Sequence, residues 1–142
     1  MINNARGLGI SDRRTVVVTM LAGGAIVAKQ TVALDTSQTD ADMAEYVVQA
    51  PTSSPYAVGI ALEAATGAGE SIRVALAGFV EDAVVDNVTA GDLLVLDAAS
   101  AGTLQTYVNT DTNPQFAVAL ESHASAANVW LFGLGLGLAG SI

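Results

Sequence analysis

His123 is the only histidine in the chain, and it lies in Glu121-Ser122-His123-Ala124-Ser125, where a base, two hydroxyls and a carboxylate fall within one short stretch. These are the residue types of a nucleophilic triad, in which an imidazole takes the proton of a serine and a carboxylate orients the imidazole. The spacing argues against that chemistry. Neighbours on one turn do not converge on a common point, and no Gly-x-Ser-x-Gly elbow is present to expose a nucleophile. An exposed turn histidine is the reading these residues favour. The fourteen acids offer material for paired carboxylates, but nothing marks two of them as facing each other, and the aromatics that line sugar clefts make up only 5% of the chain. Asp35, Asp40, Asp42 and Glu45 lack the central glycine and terminal glutamate of a calcium loop, so they read as a solvated acidic loop. Gly67-Ala68-Gly69 has neither the lysine nor the following helix of a phosphate loop. With no cysteine and one histidine, a metal would have only oxygen ligands, and no spacing supports such a site. No catalytic residue, cofactor or metal is therefore expected, and the chain does not read as an enzyme.

The elements that would position any site follow from composition and periodicity. At 142 residues the chain is the length of one ordinary domain, and a single core is expected. Hydrophobic residues are 51% and charged ones 13%, which argues for a folded, heavily buried or self-associating protein built on many small side chains. The net charge of −9 repels phosphate backbones, so nucleic acid is not an expected partner. No stretch reaches the roughly 20 apolar residues of a membrane-spanning helix, and no membrane is expected either. Arg13-Arg14 ahead of an apolar run superficially resembles a signal peptide, but Thr15, Val16, Val17, Val18 and Thr19 are β-branched and Gly23-Gly24 breaks the run.

Charge is unevenly placed. Arg6, Arg13 and Arg14 are three of the five basic residues, and Asp12 is the only acid among the first fourteen positions. That segment reads either as a loose terminus or as a docking arm that adds a strand to a partner's sheet edge. Residues 15–28 and 29–34 read as a hairpin about Gly23-Gly24. Residues 39–46 could form one or two helical turns capped by Thr39 or Asp40, and 45–50 another short strand.

The organising stretch is 56–96. Ile72, Val74 and Leu76 alternate with Arg73, Ala75 and Ala77, a period of two between glycine turns. Residues 79–88 read as a segment passing over a barrel mouth, and Val88-Thr89-Ala90-Gly91-Asp92 as a turn delivering Leu93-Leu94-Val95-Leu96 into a strand with no solvent face. Residues 103–108 give a more polar strand. Ile60-Ala61-Leu62-Glu63 is echoed by Val118-Ala119-Leu120-Glu121, each followed by a small-residue turn and an apolar strand. Two such hairpins predict a pseudo-symmetric barrel or sandwich without exposed edges. At the C-terminus Leu134, Leu136 and Leu138 alternate with Gly135, Gly137 and Ala139, which is either a terminal core strand or a close-packed subunit interface.

Val58-Gly59-Ile60-Ala61-Leu62-Glu63-Ala64-Ala65, Gly69 to Gly78, Val88-Thr89-Ala90-Gly91-Asp92-Leu93 and Ala119-Leu120-Glu121-Ser122 resemble the phage head decoration or capsid cement proteins, including a group of unknown function with a lambda-like decoration fold. The resemblance covers roughly Ala57 to Leu131 and rests on small-residue strand and turn patterns. It implies an all-β fold, a small compact β-barrel or β-tulip with little helix, organised as a flexible arm over 1–14 and one domain over 15–142. It also implies a structural protein that binds the outside of an expanded head as homotrimers at three-fold and quasi-three-fold sites, with the major capsid protein as partner. Under that resemblance Arg6, Arg13 and Arg14 belong to the capsid-docking arm, and Trp130, Phe132, Leu134 and Leu136 to the trimer interface. The rival reading is a β-rich tail or surface adhesin module that binds a host glycan or protein, for which Tyr46, Tyr56, Tyr107 and Trp130 are the candidate contacts.

Overall fold

The computed structural model describes residues 15–39, 47–50, 57–111 and 113–133. Among them every regular element is a strand: β1 Thr15–Ala22, β2 Thr31–Leu34, β3 Val47–Gln49, β4 Ala57–Ala61, β5 Ser71–Asp86, β6 Leu93–Leu96, β7 Leu104–Thr106, β8 Ala117–Ala119 and β9 Ala126–Leu131. The all-β barrel expectation holds. The helical turns expected over 39–46 fall almost wholly outside the described residues.

The nine strands form one sheet in the order β1-β3-β2-β4-β5-β7-β6-β8-β9, and β5 pairs in addition with β1 and β9. Those two extra pairings close it twice. The circuit β1-β3-β2-β4-β5 returns to β1, and β5-β7-β6-β8-β9 returns to β5, giving two small barrels that share the 16-residue β5. Closure on this plan removes most sheet edges, where unpaired backbone would otherwise recruit other chains.

Each barrel has its own core. Met20, Ile26, Val32, Val48, Ile72 and Val74 fill the first. Val80, Val85, Leu94, Leu104, Val129 and Leu131 fill the second. Full burial of a leucine such as Leu94, at 0% exposure, stabilises the fold by roughly 1.5–3 kcal/mol. The single expected core thus resolves into two, because valine and alanine side chains fill only narrow interiors.

The barrels are built by the same steps. Parallel β1–β3 recurs as β5–β7, and antiparallel β2–β3 as β6–β7. Likewise β2–β4 recurs as β6–β8, β4–β5 as β8–β9, and β1–β5 as β5–β9. The echo read in the sequence is one part of this repetition. The Leu62 N–H donates to the Arg73 carbonyl at 2.8 Å, as Leu120 does to Asn128 at 2.8 Å. The Arg73 N–H donates to Glu63 Oε1 at 2.8 Å, as the Asn128 N–H does to Glu121 Oε1 at 3.0 Å. Asp35 and Asp97 end β2 and β6 alike, each Oδ1 accepting a backbone N–H two residues on, from Ser37 at 3.0 Å and Ala99 at 2.8 Å.

Three local expectations change. β1 and β2 do not form a hairpin, because β3 lies between them and pairs with both. Residues 79–86 are not a crossing segment but the second half of β5. Their acids face outward at a bulge between Val80 and Ala83, where Asp82 takes φ 56° and donates its N–H to Asn128 Oδ1 at 3.1 Å. Leu93 does have a solvent face, since it points outward while Leu94 and Leu96 point into the second core.

Candidate functional site

The residues with catalytic side chains are occupied in holding turns. His123 forms a two-way bridge with Val88, and its Nδ1 accepts the N–H groups of Ser125 and Ala126, each at 3.1 Å. Ser122 Oγ accepts the Ala90 N–H at 2.9 Å. With Glu121 accepting from Asn128, the side chains of His123, Ser122 and Glu121 each accept from backbone N–H groups, at Ser125 and Ala126, at Ala90 and at Asn128, and no hydrogen bond joins these three side chains to one another.

The acids behave likewise. Asp35 accepts from the Ser37 hydroxyl, the Ser37 N–H and the Gln38 amide, and the Ser37 hydroxyl is the main cause holding its carboxyl below the usual range. Asp92 is held low by the Thr106 hydroxyl at 2.7 Å and the Thr89 N–H at 2.9 Å. Glu70 is held low by the Thr66 hydroxyl, then by the N–H groups of Thr66 and Gly67. Among the described residues no group of three or more His, Asp and Glu side chains is placed to hold a metal ion.

What the fold does assemble is an apolar row across the outside of the second barrel. Leu93 pairs with Val118, Val118 with Trp130, and Trp130 with Phe79. Direct cross-strand partners share a face, so these four side chains stand side by side. Leu93 and Trp130 are each 39% exposed. Phe132 follows β9, half-buried, and donates its N–H to the Phe116 carbonyl at 3.1 Å. A groove lined by Thr15, Val17, Leu62, Arg73 and Phe79 lies beside the row, with Arg73 paired to Glu63 at 3.4 Å on the surface.

Of the residues singled out in the sequence, Trp130 and Phe132 therefore lie on or next to this row. Arg6, Arg13, Arg14, Leu134 and Leu136 lie outside the described residues, as do Tyr46 and Tyr56. Tyr107 is half-buried and donates its N–H to the Leu93 carbonyl at 2.7 Å. Leu93, Val118 and Phe79 were not singled out. Alternation within one strand identifies a face, but only register identifies the cross-strand row, and register is not written in one strand.

Comparison with known proteins is consistent with this inventory. No curated protein matches the sequence. Among solved structures the chain is similar to the N base of the head fiber protein gp8.5 of bacteriophage phi29, with a TM-score of 0.54 at 19% identity, covering 82% of this chain and 93% of that one. At that identity the likeness establishes the fold. A family model for phage cement proteins matches residues 10–134. The chain thus belongs to the phage cement protein family, structural proteins of the outer surface of the phage capsid.

Proposed function

We propose that the protein is a non-enzymatic cement that binds the outer surface of the expanded head as homotrimers, at three-fold and quasi-three-fold positions, and holds neighbouring capsomers together. The observation that carries this reading is the family match over residues 10–134. The use of His123, Ser122, Glu121, Asp35, Glu70 and Asp92 as acceptors for turn N–H groups supports a role without catalysis. Arg6, Arg13 and Arg14 form a basic arm ahead of an acidic body, suited to carboxylates and strand edges of the major capsid protein. Trp130 and Phe132, continued by Leu134 and Leu136, make the contact between copies.

A trimer offers three arms at once, so its avidity exceeds the affinity of one arm by orders of magnitude. Its site spans several capsid subunits and exists only once they have moved, which couples binding to expansion. Removal of residues 1–14, with the body left intact, should lower occupancy on expanded capsids, measured by sedimentation and gel densitometry. Unchanged occupancy would overturn the arm; equal binding to unexpanded and expanded heads would overturn the coupling.

A further inference from the structure

The two cores depend on each other unequally. The second core includes Ile60 of β4 and Ala75 of the first half of β5, both 0% exposed, and Ala57 and Leu62 pack on its margin. All four come from the part of the chain that builds the first barrel. The reverse does not hold. Among the described residues the first core draws on nothing beyond Val74, and Leu76 is the last side chain on its margin. Loss of order after Gly78 would leave the first core whole, whereas loss of the first barrel would take Ile60 and Ala75 out of the second. Burial of apolar side chains is the main term holding either barrel closed, so stability passes from the first barrel to the second and not back.

The shared strand has a joint where the barrels meet. Gly78 takes φ 92°, in the left-handed region that glycine adopts without strain, and it pairs with Thr15 in the first barrel and with Leu131 in the second. Polar ties cross the junction beside it. Thr15 Oγ1 donates to the Phe79 carbonyl at 2.7 Å, Lys29 Nζ to the Glu81 carbonyl at 2.7 Å and Gln30 Nε2 to the Ala101 carbonyl at 3.1 Å. The Val84 N–H donates to the Lys29 carbonyl at 3.1 Å and the Thr31 N–H to the Gly102 carbonyl at 2.8 Å. Water can replace each of these, so they offer little resistance to separation. One group favours it. Thr31 pairs with Ile60 and so faces the second barrel as Ile60 does, and its buried hydroxyl has no partner there. Separation would hydrate it.

We propose that the second barrel is a releasable half: it opens about Gly78 and recloses while the first barrel stays folded, and the first barrel opens only after the second. Contiguous units of unequal stability that open in order are the usual form of sub-global unfolding. The device belongs to the fold and does not depend on the partner proposed above. Thr15, which begins β1 directly after the basic segment, lies in the half that stays folded, so opening leaves that segment attached to an intact barrel.

Hydrogen exchange of the full chain, read at single amides under conditions where opened segments reclose before they exchange, tests the order. In the wild type the Phe116 and Ala119 N–H groups should form one set, and the Ala22 and Ala61 N–H groups a second set protected roughly tenfold more or better. The Thr31 N–H stands in β2 but bonds to the Gly102 carbonyl, so it should join the less protected set. Val74 and Val129 hold matching places opposite Ala61 and Ala119, each 0% exposed. Val74→Ala weakens the closed and the half-open chain alike, so it should speed exchange only in the slow set. Val129→Ala weakens the closed chain alone and should speed both sets by the same factor, because the first barrel opens only after the second. Ile60→Val, although in β4, should act as Val129→Ala does. Equal protection of the two sets in the wild type, a fast set that responds to Val74→Ala, or a slow set indifferent to Val129→Ala would overturn the proposal.

Discussion

Lys29 and Gly91 occupy equivalent places in the two barrels. The Lys29 N–H donates to the Ala61 carbonyl at 2.7 Å and the Gly91 N–H to the Ala119 carbonyl at 2.8 Å, with φ of 75° and 93°. A lysine in left-handed backbone costs on the order of 1 kcal/mol that glycine does not. Lys29 offsets the cost by tying its Nζ to the Glu81 carbonyl across the barrel junction.

Lys29→Ala should therefore lose about 1 kcal/mol, since it keeps the backbone strain and drops the tether. Lys29→Gly should come out near neutral, relief of strain cancelling the lost bond. Gly91→Ala should lose about 1 kcal/mol from conformation alone, because nothing lies within 4 Å of the added Cβ. Thermal midpoints decide this in comparison with the wild type; Lys29→Gly falling clearly below the wild type would show that the tether outweighs the strain.

Thr31 marks the same junction from inside. Its hydroxyl is fully buried between the barrels with no hydrogen-bond partner, an arrangement that costs about 1–3 kcal/mol of desolvation. Thr31→Val keeps the shape and removes the orphan, so it should raise stability by about 1 kcal/mol in urea unfolding. A drop would mean that the hydroxyl finds a partner in solution.

Acid should unfold the protein through its turn carboxylates. Asp35, Asp92 and Glu70 are held below their ordinary values of 3.8, 3.8 and 4.5, chiefly by hydroxyls of Ser37, Thr106 and Thr66. A depressed folded value means that the native state releases the proton more readily than the unfolded chain. The stability this contributes is complete above the unfolded value and is lost as pH falls through the folded one. Midpoints should be flat near neutrality and fall in acid. Asp92→Asn, which retains one acceptor oxygen without the charge, should flatten that fall; an unchanged slope would remove Asp92 from the account.

Much of the fold was legible in the residues themselves. The Ile60 to Glu63 motif and its copy at Val118 to Glu121 announced the two β-hairpins, and the glycine and aspartate turns bounded most strands correctly. The pairing of β1 was not legible, because Gly23-Gly24 looks like a hairpin turn and nothing local reveals that the short β3 inserts itself. The continuity of β5 was hidden for another reason: the bulge at Glu81 and Asp82 interrupts the alternation by which a strand is recognised. Trp130 was recognisable as a surface candidate, but its row was not, since Leu93, Val118 and Phe79 come from three other strands and meet only through register. Leu34-Asp35 and Leu96-Asp97 carry the same repeat beyond the hairpins.

Gly59 tests whether the two barrels respond as one body. A Cβ there would stand 2.1 Å from the Ala75 carbonyl oxygen and 2.8 Å from Val74 Cγ1. The oxygen is backbone, so β4 and β5 would have to part, next to the Ile60–Ala75 pair that closes the second barrel. Gly59→Ala should cost roughly 1–3 kcal/mol as overpacking does, and the midpoint should fall by about 2–4 °C for each kcal/mol. Gly67→Ala is the control, since open space surrounds its Cβ, and it should stay within about 0.5 kcal/mol. If the junction couples the barrels, hydrogen exchange in Gly59→Ala should rise at Ala119 and Asn128 in the second barrel as well as at Ala61 and Arg73 in the first. Exchange confined to the first barrel would show that the shared strand joins two units that open separately.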